Sequence, residues 1–63
     1  MSSILEQWNE LKTLVESLEP DVVKNASGNA SAGVRARRGL RLLKTKSADL
    51  VKQTIADEKE RKG

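Results

Sequence analysis

The chain has 63 residues, a net charge of +3, and neither cysteine nor histidine. Its length allows one small domain, and a chain this short buries only about 60% of the surface that it exposes when unfolded. The lack of cysteine excludes disulfides and thiolate metal sites, and the lack of histidine removes the usual metal ligand and general base. We therefore expect a protein that is not an enzyme, that holds no cofactor or metal, and that gains stability by self-association.

The small net charge hides an uneven distribution of charged residues. Residues 22–48 contain seven basic side chains and no acidic one, whereas residues 1–21 carry five acids and one base. Six of the seven bases fall within twelve residues: Arg35, Arg37, Arg38, Arg41, Lys44 and Lys46. Concentrated arginine is typical of proteins that bind polyanions, because phosphates need positive partners at close range.

Residues 3–26 form the first predicted helix. Ser3 and Glu6 have the spacing of a capping box, which predicts the start of the helix. Apolar residues then recur at alternating intervals of four and three, which is the spacing of a heptad seam. The seam of this helix consists of Ile4, Trp8, Leu11, Val15, Leu18 and Val22, and Leu14 widens it. We interpret Trp8 as a packing residue rather than a platform for base stacking.

Pro20 interrupts the first helix, and two interpretations are open. The helix either kinks and continues to about residue 26, or stops near Leu18 and restarts with Pro20 at its first position. The apolar spacing is kept from Leu18 to Val22, which favours the kink.

Residues 27–29 are the predicted turn, and residues 30–61 the second helix. Gly28 suits a left-handed position at a helix end, and Asn29 or Ser31 can cap the helix that follows. The second seam contains Leu40, Leu43 and Leu50. Gly33 and Gly39 weaken a helix by about 1 kcal/mol each relative to alanine, and we expect them to allow another backbone to approach closely.

The whole chain, 1–63, is therefore predicted to be a single all-α domain, an antiparallel two-helix hairpin. Two helices alone leave much of each apolar stripe in contact with water. We expect the hairpin to form a homodimer, or a higher oligomer, as a four-helix bundle or coiled coil.

On the second helix, the basic residues occupy the back and the flanks and leave the apolar seam free. A structural interpretation is that they merely form a solvated face and pair with acids of the first helix. Such surface pairs contribute only about 0–1 kcal/mol, and seven bases exceed the nearby acids. With one aromatic residue in the chain, base stacking on single strands or RNA is disfavoured.

The segment from Gly28 to Arg38, GNASAGVRARR, resembles the signature of the small bacterial histone-one-like (Hc-type) nucleoid proteins. The matching positions are Gly28, Asn29, Ala32, Gly33, Arg35 and Arg37, with Arg38 in place of a lysine. An acidic amphipathic helix precedes the signature, as in that family. The lysine- and alanine-rich tail of some members is absent. The resemblance implies a helical protein that compacts DNA without strong sequence preference, in the nucleoid of a bacterium or encoded by a bacterial virus.

We therefore expect a cytoplasmic, nucleoid-associated protein whose six clustered bases contact the phosphates of duplex DNA. The alternative is a helical protein–protein interaction module whose basic face binds an acidic protein. Salt separates the two, because DNA binding through counterion release weakens steeply with salt. A membrane-surface helix is disfavoured, because the apolar stripe of the second helix is needed against the first. No small-molecule substrate is expected.

Overall fold

Two α-helices joined by a tight turn form an antiparallel hairpin. Helix α1 spans Ile4–Ala26 and helix α2 spans Ala30–Lys62. The structure, a computed structural model, describes residues 3–62. Residues 1, 2 and 63 of the predicted domain lie outside the described part. The helices pack along their length into a rod of 52 × 15 × 15 Å. The all-α hairpin predicted from the sequence is confirmed.

Helix α1 begins at a side-chain cap and continues through its proline. The Ser3 hydroxyl oxygen accepts a hydrogen bond of 3.0 Å from the backbone N–H of Glu6. Pro20 lies inside the helix, so α1 is one element rather than two. Proline removes the N–H that would bond the carbonyl of Glu16. Glu16 is exposed, so water can take the place of that donor.

The turn closes both helix ends with hydrogen bonds. Gly28 has a φ of +102°, a conformation that residues with a Cβ rarely adopt. The N–H of Gly28 donates to the carbonyl of Asn25 at 2.9 Å, and the N–H of Asn29 donates to that of Lys24 at 3.0 Å. This pair of bonds is a Schellman motif. The side-chain oxygen of Asn29 accepts from the N–H of Ala32 at 3.0 Å, so Asn29 caps α2 as predicted.

The hairpin core is small, and its α2 side consists of small residues. Leu11 and Leu18 are the buried apolar residues of α1, and Ala32 and Ala36 are those of α2. Gly39 lies against Leu18, and a Cβ built at Gly39 would overlap the Leu18 side chain. Gly39 does allow a close approach, but the group that lies against it is the side chain of Leu18 rather than the expected backbone.

Helix α1 faces α2 with a side that is rotated from the predicted seam. Gln7, Leu14 and Asp21 are half-buried, whereas Trp8 and Val15 are each 51% exposed. The interpretation of Trp8 as a packing residue therefore needs correction for the single hairpin. The rotation brings the polar flank of α1 alongside α2, where acids of α1 reach bases of α2.

The second seam is divided in the same way. Leu43 and Leu50 are half-buried, as is Ile4 at the start of α1, whereas Leu40 is 47% exposed. The hairpin thus covers part of the predicted seam and leaves the rest in contact with water. Neither described helix has the long apolar stretch that crossing a membrane requires.

Candidate nucleic-acid interface

All six predicted DNA-binding residues lie on α2, and they divide into two groups. Lys46 is half-buried and the other five are exposed. Two of the six lie on the flank that α1 overlaps, and four project from the remaining circumference of the helix. The division follows from the helical period, which separates residues of one sequence cluster onto different faces.

Arg35 and Lys46 are paired with acids of α1. The Nε of Arg35 donates to Oδ1 of Asp21 at 3.0 Å, and this pair is the closer of the two. The ammonium of Lys46 lies 3.8 Å from a carboxylate oxygen of Glu10. The Arg35 side chain remains 52% exposed, so water and salt screen its ion pair. These contacts reduce the positive charge on this flank without burying it.

The other four predicted residues form what we call the outer basic face: Arg37, Arg38, Arg41 and Lys44. None of them has an acidic partner within 4 Å among residues 3–61. Arg41 lies on the side of α2 opposite the stripe that contacts α1, since Arg41 is half a turn out of phase with Leu43 and Gly39. A charged surface of this kind attracts an anion without first breaking an internal ion pair.

The outer basic face has a length suited to a phosphate backbone. Arg37 and Lys44 are seven residues apart, which is about 10.5 Å along the helix. One strand of B-DNA presents a phosphate about every 3.4 Å of helix axis, so the face extends over about three phosphates. Arginine forks bind phosphate oxygens in bidentate fashion, which favours this use.

Trp8 lies away from the outer basic face. It lines a groove between the helices together with Leu11 and Leu43. A base held against Trp8 would therefore not be held by Arg38 or Arg41. The sequence predicted that part of the apolar stripes would stay in contact with water, and the structure shows which residues line that exposed groove.

The chain matches a protein-family model over residues 5–60, which includes nearly all of both helices. The family is described as Histone H1-like protein Hc1. The chain belongs to this family. The resemblance noted at residues 28–38 is thereby confirmed, and membership indicates a DNA-binding, nucleoid-associated protein. No curated protein and no solved structure shows significant similarity to the chain.

Proposed function

We propose that this histone H1-like protein binds duplex DNA without sequence preference, through contacts between the outer basic face and phosphates. The observation that carries the proposal is the set of four exposed bases with no acidic partner among residues 3–61. Family membership supports DNA as the polyanion. Contacts to phosphate position a protein on DNA and carry no sequence information directly.

Arg35 and Lys46 take a secondary part in this proposal. Both remain accessible at the edge of α2, but each must leave a carboxylate to bond a phosphate. Breaking an exposed ion pair costs only about 0–1 kcal/mol, so Arg35 and Lys46 can exchange a carboxylate for a phosphate. The net gain in binding free energy is smaller than for a base that has no ion pair to break. The six predicted residues are thus ranked, with the four of the outer basic face first.

The alternative of an interaction module that binds an acidic protein relies on the same bases. Family membership favours DNA over an acidic protein as their target. The exposed apolar groove, by contrast, supports a contact with protein, and its α2 edge borders two residues of the outer basic face, Arg37 and Lys44.

Two matched double variants test the proposal. Arg38→Gln with Arg41→Gln removes two free bases, and Arg35→Gln with Lys46→Gln removes two paired ones, so the formal charge lost is the same. Affinity is measured on two unrelated duplexes over a salt series. Each lost phosphate contact reduces the slope of log affinity against log salt by about 0.9, so the free pair should flatten it by about 1.8 per chain.

We expect Arg35→Gln with Lys46→Gln to reduce the slope by less than about 0.9, the effect of one phosphate contact. We also expect the affinities of the protein for the two unrelated duplexes to agree within about tenfold. An equal loss of DNA affinity in both double variants would show that net charge alone determines binding, and that the outer basic face has no special role. Unchanged binding by Arg38→Gln with Arg41→Gln would place the DNA contact elsewhere and overturn the proposal.

A further inference from the structure

A groove lined by apolar side chains runs along one flank of the hairpin. Its α1 side contains Trp8, Val15 and Val22, and its α2 side contains Leu40 and Leu43. Trp8 and Val15 are half exposed, as described above, and Val22 is 43% exposed. Val51 and Ile55 extend the same side of α2 toward its end, one and two turns beyond Ser47. Both helices thus expose apolar surface on one flank.

The hairpin exposes more surface than a compact chain of its mass. The accessible surface of the single chain is 5044 Å². A compact monomer of 6.9 kDa exposes about 4,000 Å² by the usual scaling of surface with mass. The excess of about 1,000 Å² reflects the elongated shape of the rod, and part of this surface is the apolar groove.

The two edges of the groove carry opposite charge. Glu16 and Glu19 lie along the α1 edge, which also includes Lys12. Arg37 and Lys44 border the α2 edge, because each lies one turn from Leu40 on the same side of the helix. Residues 30–48 contain no acid, so the α2 edge is purely basic there. A complementary partner therefore presents an acidic helix to α2 and a basic helix to α1.

A second copy of this chain has that arrangement. We propose that two chains pack groove against groove about a two-fold axis parallel to the helices. Each α1 then covers the α2 of the other copy at the same height along the rod. All four neighbouring helix pairs are antiparallel, as in a four-helix bundle.

The heights of the charged residues predict one pair of opposite charge and one pair of like charge across this packing. Within one chain, the ion pairs place Arg35 level with Asp21 and Lys46 level with Glu10. Because the helices are antiparallel, two residues further along α2 correspond to two residues back along α1. Glu19 is therefore level with Arg37, and in the proposed dimer it faces Arg37 of the second copy. By the same count Lys12 faces Lys44 of the second copy, and Glu16 lies one turn from Lys12 on the same side of α1.

The other symmetric arrangement lacks this pairing of opposite charges. A two-fold axis perpendicular to the helices would place α2 against α2 and α1 against α1. The basic edge of each groove would then no longer meet the edge that carries Glu16 and Glu19.

The proposed axis has a consequence for DNA, which depends on the proposed function above. It places the two α2 helices at opposite edges of the bundle, with Arg38 and Arg41 of each copy directed outward. One dimer would then hold two duplexes, one on each side. The rejected axis would instead put both basic helices on one side, where they would contact a single duplex.

The orientation is tested without DNA by a spin label at the turn. Ser27→Cys gives one labelling site, because the chain has no cysteine, and Ser27 is exposed and remote from the groove. In the proposed dimer both turns lie at the same end, so the label distance is the width of a bundle, on the order of 20 Å. In the rejected dimer the turns lie at opposite ends, a distance close to the 52 Å length of the rod.

Charge reversals then test which flank is used. Glu19→Arg or Arg37→Glu alone should weaken self-association by about tenfold or more in sedimentation, and the two together should restore it. A chain that stays monomeric, a label distance near the rod length, or reversals without mutual rescue would each overturn the inference.

DNA bridging has its own readout, which is capture of a free duplex by an immobilised duplex that carries the protein. Capture is expected for the unmodified chain. A chain that binds the immobilised duplex and captures no second one would overturn bridging while leaving the proposed DNA binding intact. A chain that binds neither duplex would contradict the proposed function, whereas the label distance would still report the dimer.

Discussion

Gly39 shows how a single missing Cβ determines where the helices meet. A glycine inside a helix normally weakens it by about 1 kcal/mol relative to alanine. Here the space at Gly39 is filled by the Leu18 side chain, which is buried. The local cost of glycine is therefore offset by the burial of a leucine between the helices.

This contact predicts that Gly39→Ala has opposite effects on the melting temperature in the parent chain and in a Leu18→Ala variant. Gly39→Ala should lower the melting temperature of the parent chain, because the new Cβ overlaps Leu18. In a Leu18→Ala background, which itself costs about 2–5 kcal/mol, the same change should raise the melting temperature. Circular dichroism at fixed protein concentration measures both. A stabilising Gly39→Ala in the parent would show that the helices separate without penalty.

At the scale of the helices, the sequence predicted the elements better than the faces that they use. Caps at Ser3 and Asn29 and the left-handed Gly28 are local signals, and each is present in the structure. The division of the apolar seam was not predictable, because a heptad pattern does not say which neighbour covers which side. α1 turns Leu14 toward α2 and leaves Val15 in the groove.

The same limit applied to the basic residues. Their clustering is a property of the sequence, whereas the pairing of Arg35 with Asp21 depends on the relative height of two helices. That height is fixed by the turn and by the fit of Leu18 at Gly39. The sequence therefore predicted the candidate residues and could not rank them.

Trp8 offers a direct measurement of whether the exposed flank of α1 becomes covered. It is the only aromatic residue of the chain and lies half exposed in the groove. If two chains associate there, its fluorescence emission should move to shorter wavelength as protein concentration rises. Val15→Glu places a charge in the groove and should keep the emission at longer wavelength at every concentration. Emission that is independent of concentration in the unmodified chain would contradict this expectation.

At the scale of the whole molecule, the proposed DNA and self contacts differ in their physical basis. The outer basic face relies on charge, whereas the groove relies mainly on apolar burial, with charges at its edges. Over one salt series, DNA affinity should fall steeply and log-linearly, and self-association should change by less than about tenfold. Binding assays and sedimentation in the same buffers measure the two. Parallel decline of both would indicate that ion pairs dominate the contact between copies.

The position of the turn also makes the rod electrically asymmetric from end to end. Residues 13–48, which include the turn, carry seven bases and three acids, whereas residues 1–12 and 49–63 together carry five bases and six acids. A polyanion at a distance attracts the turn end and weakly repels the open end, so its field rotates the approaching molecule. We therefore expect the turn end to lead as the rod approaches DNA.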